Sequence, residues 1–418
     1  MSNLTRQYRY GTSFDVLYPD FPSFNKQPLW FELTQEQGKQ DVLKLAYTSY
    51  DKFYQTALKT GALIKLTWKN QNSQGTFHGH FYDSTHTSQA TVERNIMVTA
   101  VGASFALKEG GSKMWKNKTA SEIAIDIAKK NKLKPIVTSS PIRFGQQSLN
   151  GHTYWEKLQE LAARIGYVCQ VIGVELHFHP IDKMIDHFST VIPALSFQDA
   201  MFNSGHTVDG HTLDKFKSKV GSLSELGAHT KKTKNVSGID SITGKVFNNT
   251  SAPSKVGKNV RKTNAAELFK ENIPTRVAES PAVAKAMAEG FAQLARFSLH
   301  AEGSAQGNAN IAPYKTIEIN GTGEVTDGFW VVKKATHFCH VDGRYNVEFT
   351  CMTDGTGANK ATQFRPSSAS VVPTRNLVSE MATGMKTKTT QPKISKKVPL
   401  VNQSNAGVKL SSNRWVGV

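Results

Sequence analysis

The sequence predicts an α+β protein in which two β-rich regions flank a smaller region with two helices, and a basic, extended arm forms the C-terminal end. Residues 10–108 and 314–353 contain apolar residues that largely alternate with polar ones, in runs separated by Gly, Asn and Ser, which is typical of antiparallel strands. Helix-start patterns at Thr119 and Thr153 lie between these regions. From Met381 to the end there are seven Lys or Arg and no Asp or Glu, which indicates a solvated segment.

The length and composition are those of a globular protein with more than one domain. The chain has 418 residues, of which 39% are hydrophobic and 20% charged, and a domain usually contains roughly 100–200 residues. No apolar run approaches the roughly 20 residues that a membrane-spanning helix needs. Residues 1–21 lack an apolar stretch followed by a cleavage site, so we expect a protein made and kept in a cytoplasm.

The chain is strongly basic, with a formal net charge of +18 and a pI of about 9.6. Such a charge favours polyanionic partners such as nucleic acid or an anionic membrane. Much of it lies in the C-terminal arm and in residues 231–262, and both segments are poor in large apolar residues. We therefore interpret them as solvated linker or tail, and not as a folded nucleic-acid reader.

The cysteine pattern excludes a disulfide framework or a zinc site built on thiolates. Cys169, Cys339 and Cys351 are odd in number and include no CxxC pair. Each lies in an apolar, strand-like run, where a cysteine usually behaves as a small buried hydrophobic residue. We do not expect a catalytic thiol among them.

The N-terminal β region is predicted to be a small antiparallel barrel or sandwich. Its strand-like segments are separated by turn-forming residues, and 51–58 could form a helical turn between two of them. The five segments are residues 29–34, 41–50, 62–68, 75–87 and 95–107.

The middle region is predicted to contain two capped helices followed by a β-hairpin. Thr119 with Glu122, and Thr153 with Glu156, have the spacing of capping boxes. The second helix should end at Gly166. Its predicted buried face consists of Trp155, Leu158, Leu161, Ala162 and Ile165. Residues 167–171 and 175–182 then form the hairpin, whose second strand is ELHFHP.

The second β region follows a basic segment and a helix. The alanine-rich helix is predicted over about residues 281–299, with a cap at Ser280 and Pro281 in its first turn. Strands are predicted within 314–323, 328–341 and 343–353. The sequence HVDGRY indicates a hairpin with an Asp-Gly turn.

The middle region resembles the corresponding domain of the phage baseplate hub family. That family includes the late-control D proteins of contractile-tailed phages, the T-even baseplate hub and the N-terminal part of the VgrG spike of type VI secretion. The likeness is carried by the capped helix TASEIAIDIAKKNKL and by LNGHTYWEKLQELAARIGYVCQVIGVELHFHP, about seventy residues in all. In the second segment, the pattern W-x-x-L-x-x-L-A-x-x-x-G falls on Trp155, Leu158, Leu161, Ala162 and Gly166.

The resemblance implies a domain arrangement. It implies a first β-barrel hub domain at 1–110, an inserted α/β domain at 111–193, and a second β-barrel hub domain at 194–355. The second barrel would carry a basic loop at about 228–275 and the helix at about 281–299. Residues 356–418 would form a basic extended arm, anchored on a neighbour through Trp415 and the VPLV segment.

The resemblance also implies a structural function. Three copies of the chain would form a ring that adapts a sixfold tail tube to a threefold central spike and lines the DNA channel. The implied partners are two further copies of the chain, a tail tube or tube-initiator protein and the spike, with wedge and tape-measure proteins as further candidates. DNA would pass without specific binding, and the protein would be assembled in the host cytoplasm and reside in the virion.

His177 and His179 form the first candidate site. Because strand side chains repeat every second residue, both histidines and Glu175 should point to the same face, where they could bind a metal. The alternative is the ordinary polar face of a half-exposed outer strand, with Leu176 and Phe178 in the core. We favour the alternative.

The other candidates are equally open to structural explanations. His78 and His80, with His86 nearby, resemble the metal-binding strand of cupin-like barrels, but lack the glutamate expected a few residues later. His337 and Cys339 should share one strand face while His340 points the other way, so that a buried, hydrogen-bonded histidine is favoured.

No glycine-rich segment has the pattern or context of a phosphate-binding loop; the segments considered are GSAQGNAN, GTGEVTDG and DGTGANK. We therefore predict no catalytic, cofactor-binding or metal-binding residues, no cofactor, and no enzymatic activity. A basic nucleic-acid-binding protein and, less favoured, a His-metal cupin-like enzyme remain the alternatives.

Overall fold

The computed structural model describes residues 12–22, 27–47, 59–70, 73–88, 94–197, 212–218, 233–239, 243–250, 270–272, 280–295, 297, 299–323, 326–354, 366, 370–373, 409–410 and 414–415. The chain divides into two units, Met1–Val378 and Ser379–Val418. The predicted helical turn at 51–58 and the VPLV segment lie outside the described residues.

Strands form most of the first unit. In the N-terminal region they are β1 Ser13–Leu17, β2 Trp30–Glu36, β3 Val42–Tyr47, β4 Leu63–Lys69, β5 Gln74–Ser88 and β6 Arg94–Gly102. In the middle region they are β7 Met114–Thr119, β8 Lys134–Val137, β9 Arg143–Ser148, β10 Tyr167–Ile172 and β11 Glu175–Pro180. The later strands are β12 Val191–Ser196, β13 Leu213–Ser218, β14 Thr233–Ile239, β15 Val246–Thr250, β16 Lys270–Asn272, β17 Leu299–Gln306, β18 Thr316–Asn320, β19 Gly328–His340, β20 Tyr345–Thr353 and β21 Ser370–Pro373.

Four α-helices are described: α1 Ala120–Lys130, α2 Tyr154–Ile165, α3 Ile181–Phe188 and α4 Pro281–Ala295. A 3-10 helix, Ala103–Lys108, follows β6, so the strand predicted over 95–107 is shorter than expected. The second unit contributes the short antiparallel strands β22 Lys409–Leu410 and β23 Arg414–Trp415.

One 13-stranded sheet contains strands of both β regions. Its main path is β1-β4-β5-β6-β3-β2-β19-β18-β12-β21, and β20, β17 and β13 extend from β19. β19 is 13 residues long. It pairs with β20 along one edge and, along the other, with β18 near its start and β2 near its end. The antiparallel β2–β19 pair therefore joins the two β regions, and closure of either region into a barrel of its own stays a prediction.

Most of this sheet is antiparallel, as the sequence predicts, but its β12 edge is not. β12 pairs in parallel with both β18 and β21, so the expectation of purely antiparallel domains is wrong there. β21 also lies within the predicted arm at 356–418, so part of that segment is paired with the sheet. Parallel neighbours need a long connection, which the intervening sequence provides.

The alternating pattern of the strands places one face of the sheet in a shared core. In β2, for example, Phe31 and Leu33 are fully buried, while Trp30, Glu32 and Thr34 are partly exposed. A single apolar cluster extends from Val16 through Leu66 and Val98 to Val347 and Cys351. The two β regions thus share one core as well as one sheet.

The middle region has its own core, built on the two predicted helices. Both capping boxes are confirmed: Thr119 and Thr153 accept from the backbone N–H of Glu122 and Glu156, whose carboxylates accept from the backbone N–H of the threonines. Gly166 ends α2 in the left-handed conformation, also as predicted. Leu158, Leu161, Ala162 and Ile165 are buried, but Trp155 is only partly buried and Tyr154 is the large aromatic side chain in the core.

The basic segment and α4 belong to this second core. β14, β15 and β16 form a sheet within the predicted basic loop. Val236 of β14 is fully buried in the same cluster as Val283 and Met287 of α4. The interpretation of residues 231–262 as linker is therefore wrong for β14 and β15. The helix predicted over 281–299 ends at Ala295 and packs on α2, and Leu299 already belongs to β17.

Helix α3 connects the two cores. Ile181 and Ile185 of α3 form a small apolar cluster with Phe297, Val331 of β19 and Met352 of β20. α3 also contacts β11 and leads along the chain into β12 of the large sheet. The helix thus forms the packed joint between the middle region and the second β region.

Candidate functional site

The first candidate pair, His177 and His179, lies on a central strand and not on an outer one. β11 pairs antiparallel with β10 and parallel with β8. Helix α3 packs on the face of β11 that carries the two histidines. His177 is 0% exposed and His179 is 7% exposed. The prediction of a half-exposed strand face is therefore wrong, because β8 and α3 supply neighbours that the hairpin alone lacks. Leu176 and Phe178 are in the core, as predicted.

A third histidine, His187 at the C-terminal end of α3, joins this pair. The ring centroid of His187 lies 5.2 Å from that of His177 and 6.2 Å from that of His179, and the first two rings are 5.8 Å apart. His187 is exposed. The alternating pattern of the ELHFHP strand does not extend to it. The available signal was its place in the helical segment directly after ELHFHP.

The polar neighbours of this histidine cluster are few. Thr138 Oγ1 lies 2.8 Å from Nδ1 of His179. Glu175 places a carboxylate oxygen 3.4 Å from Nε2 of His177, without hydrogen-bond geometry, and the other oxygen accepts from Lys134 Nζ at 2.8 Å. Among the described residues, none is a hydrogen-bond partner for either ring nitrogen of His177 or for Nε2 of His179.

Burial keeps the two inner histidines neutral. It lowers the pKa of His177 to about 4, and the nearby His187 adds to the effect. Burial likewise lowers the pKa of His179 to about 4, with His177, His187 and Lys183 contributing. Neutral imidazoles are the form that binds metal ions.

In the HGH segment of β5, packing explains the central glycine. Gly79 faces inward, and a Cβ there would lie 2.4 Å from the Phe77 ring and from the Val101 carbonyl oxygen. His78 and His80 are half-buried on the other face, where Nδ1 of His80 lies 3.0 Å from the Gly61 carbonyl oxygen. His86 is exposed and lies beyond a bulge between Phe81 and Asp83, with Ser84 as its partner.

His337 is buried and hydrogen-bonded, as predicted. Its Nδ1 lies 2.9 Å from Tyr345 Oη, which also accepts from Trp68 Nε1 at 2.8 Å. Burial, with Lys315 nearby, lowers the pKa of His337 to about 3. The contacts among Trp68, Tyr345 and His337 link β4, β20 and β19, and so connect the two β regions through the core. His340 points away and lies 3.1 Å from Asp342.

The three cysteines are free and buried, as expected for small core residues. Burial raises the pKa of Cys339 to about 12 and the pKa of Cys169 and Cys351 well above the ordinary thiol value. Because the thiolate is the nucleophilic form, these thiols are unreactive at neutral pH.

The GSAQGNAN glycines make room for aromatic rings. A Cβ at Gly303 would lie 2.7 Å from the Phe349 ring, and one at Gly307 would lie 1.9 Å from the Tyr345 ring. In GTGEVTDG, Asp327 accepts from the backbone N–H and hydroxyl of Thr322, which closes a turn. Within DGTGANK, only Asp354 lies in the described residues.

A polar ladder face covers the outer side of the sheet where the two β regions meet. Directly paired residues form one row across five strands: Lys217, Glu302, Thr350, Lys334 and Glu36. The next row consists of Lys215, Ser304, Glu348, Thr336 and Thr34. Part of this face lines a groove of about 740 Å³. Lys and Glu alternate, and Lys217 lies 3.5 Å from Glu302.

Two further observations concern the described residues only. As the side chains stand, no three His, Cys, Asp or Glu of that part of the chain are placed to hold a metal ion. None of its helices is long and apolar enough to cross a membrane.

Comparisons with known proteins identify the fold. No protein-family model and no curated protein matches the sequence. Among solved structures, the tail protein from Neisseria meningitidis MC58 is 11% identical, with a TM-score of 0.59 over 84% of this chain and 99% of that chain. The 43 kDa tail protein of prophage MuSo2 from Shewanella oneidensis is 14% identical, with a TM-score of 0.55 over 81% and 98%.

These two similarities extend well beyond the middle region. Each covers more than four fifths of this chain and nearly all of the other protein. The resemblance to phage tail proteins that the middle region indicates is thereby confirmed for the fold as a whole.

Proposed function

We propose that this protein is a structural subunit of a phage tail or of a related injection machine. The observation that carries the proposal is the fold shared with two tail proteins over 84% and 81% of the chain. Fold alone does not determine function. Here, however, the similarity covers more than four fifths of this chain and nearly all of each tail protein.

Within the tail, we assign the protein to the baseplate hub, as a homotrimer. Each chain contributes two β regions that are joined edge to edge by β2 and β19. Three chains would therefore supply six similar β units around one axis. Such a ring presents sixfold contacts to a tail tube and threefold contacts to a spike, which is the geometry that an adaptor needs.

The proposed partners follow from this position. A tail tube or tube-initiator protein would contact one end of the ring and a central spike the other. Wedge and tape-measure proteins are further candidates. The protein would be assembled in the host cytoplasm and reside in the virion, at the baseplate of the tail.

DNA would pass through the ring without specific binding. This part of the proposal places the polar ladder face toward the channel, where its lysines alternate with glutamates and Lys217 forms an ion pair with Glu302. A lysine paired with a carboxylate releases fewer counterions when it meets a phosphate, so that affinity for DNA is reduced.

The proposal includes no catalytic step. The buried thiols, the buried His337 and the inward-facing glycines are each explained by packing in the core. Cleavage of cell-wall polymers would then belong to another protein of the tail.

Electron microscopy of the purified full chain tests the proposal. In negative stain, class averages should show closed rings with threefold symmetry and an axial opening, either alone or after addition of a central spike protein from the same tail. Single particles without rings under both conditions, or open filaments, would contradict the hub assignment.

A further inference from the structure

We propose that His177, His179 and His187 form a binding site for a divalent transition-metal ion such as Zn²⁺, which ties α3 to β11. Imidazole nitrogens are good ligands for Zn²⁺, Ni²⁺ and Cu²⁺. The pair in ELHFHP lacks a third ligand, and α3 supplies it. This inference does not depend on the proposed function.

The spacing of the three rings is close to, but for two pairs wider than, that of imidazoles on a shared ion. Two imidazoles bound to one tetrahedral ion through metal–nitrogen bonds of about 2.0–2.1 Å have ring centroids about 5–5.5 Å apart. The centroid distances here are 5.2, 5.8 and 6.2 Å. As they stand, the three rings do not converge on one point. Binding therefore requires rotation of the exposed His187 toward His179 and a smaller approach of the His177 and His179 rings, which are 5.8 Å apart.

The inner nitrogens lack partners among the described residues. Both ring nitrogens of His177 and Nε2 of His179 are buried without a hydrogen bond, although buried polar atoms in proteins are nearly always paired. In His179 the other nitrogen, Nδ1, is held by Thr138. Metal-bound histidines are usually oriented in this way, with one nitrogen hydrogen-bonded and the other on the metal.

The surroundings allow an ion to enter and partly balance its charge. The exposed His187 marks the solvent side of the cluster, while His177 and His179 close the inner side. Glu175, 3.4 Å from His177, is the nearest carboxylate and is shared with Lys134. The positive charges of Lys134 and Lys183 repel a cation, so we expect moderate affinity for the metal ion.

A bound ion would stiffen the joint between the two cores. His177 and His179 belong to β11 of the middle region, and His187 belongs to α3. The same helix packs on Val331 and Met352 of the large sheet. Because the ion would bridge the strand and the helix, it would oppose separation of α3 from β11.

Calorimetric titration of Zn²⁺ into the chelator-treated full chain tests the site. We expect one saturable ion per chain, and a Co²⁺ complex with the visible absorption of a tetrahedral site. The variant His187→Gln should weaken the binding at least tenfold, and its exposed position leaves folding intact. The matched control His152→Gln, which changes another exposed helix-end histidine, should bind as the wild type does.

A second readout uses stability. Zn²⁺ should raise the thermal unfolding midpoint of the wild type and of His152→Gln, but not that of His187→Gln, because only an ion bound to the folded state stabilises it. The proposal is overturned if the wild type binds no stoichiometric Zn²⁺. It is also overturned if His187→Gln binds Zn²⁺ as tightly as the wild type, which would indicate adventitious surface binding only.

Discussion

At the residue scale, Tyr345 connects the two β regions inside the shared core. Its hydroxyl accepts a hydrogen bond from Trp68 of β4 and lies 2.9 Å from Nδ1 of His337 of β19. All three side chains are buried. The hydroxyl therefore pairs two polar groups that water does not reach.

Replacing Tyr345 with phenylalanine should destabilise the protein. Tyr345→Phe leaves Trp68 Nε1 and His337 Nδ1 without this partner, and an unpaired buried polar group costs about 1–3 kcal/mol. Urea unfolding measures the change. The control Tyr82→Phe removes an exposed hydroxyl from β5, and should change the free energy of unfolding by less than about 0.5 kcal/mol. Equal effects of the two variants would mean that the buried network contributes nothing.

Asp41 makes stability depend on pH. Its side chain is buried, which raises its pKa to about 7, while a hydrogen bond from Gln35 acts in the opposite direction. Because the pKa of the folded state exceeds that of the unfolded state, this carboxyl stabilises the fold at low pH. That contribution is lost as the pH rises from about 4 to about 7.

The variant Asp41→Asn isolates this effect. Asparagine carries no charge, so the stability of the wild type relative to the variant should be lower at pH 8 than at pH 5. Urea midpoints at the two pH values give the comparison, and the titration of His337 cancels because both proteins contain it. If the difference between the two proteins is the same at both pH values, Asp41 does not titrate as we expect.

At the element scale, α2 and α4 cross at two glycines. A Cβ on Gly290 would lie 1.9 Å from the Cα of Gly166, and one on Gly166 would lie 2.2 Å from the Cα of Gly290. Gly166 also has a φ of +71°. The helix cap predicted from the sequence therefore also serves as a packing contact, which explains how closely the two helices approach.

For Gly290→Ala, packing and helix propensity predict opposite changes in the free energy of unfolding. Alanine is favoured over glycine in a helix by roughly 0.5–1 kcal/mol. The clash with the α2 backbone should outweigh this, since overpacking typically costs about 1–3 kcal/mol. We expect net destabilisation in thermal or urea unfolding. Gly145→Ala is the control, because a Cβ there meets nothing within 4 Å; a stabilised Gly290→Ala would show that the helices do not touch at this point.

Sequence patterns predict the individual helices and strands, but not which distant elements these helices and strands contact. Both capping boxes and the Gly166 cap are confirmed, because each depends on residues within one helical turn. The burial of His177 was missed, because it depends on β8 and α3, whose contacts with β11 do not appear in the pattern of β11 itself. The position of α4 was missed for the same reason, since its partner α2 lies more than one hundred residues earlier in the chain.

The same limit applies to the large sheet. The alternation in β2 and β19 predicts two strands, but no local feature predicts that they pair with each other. The polar ladder face likewise depends on the register of five strands. The resemblance to hub proteins indicated the general architecture, and the structure adds that the two β regions share a sheet and a core.

At the scale of the whole molecule, we propose that the chain is a structural ring subunit of a phage tail. One continuous sheet joins the two β regions through β2 and β19, so that each chain would bring both regions to the ring in a fixed order. Three such pairs around an axis would complete the ring.

Measurement of the mass in solution tests this claim most directly. Light scattering coupled to size exclusion, over a range of protein concentrations and with the spike protein added, should give a particle with three copies of the 46.0 kDa chain. A chain that stays monomeric at every concentration, and that remains one copy per complex when the spike is present, would contradict the proposed trimeric ring.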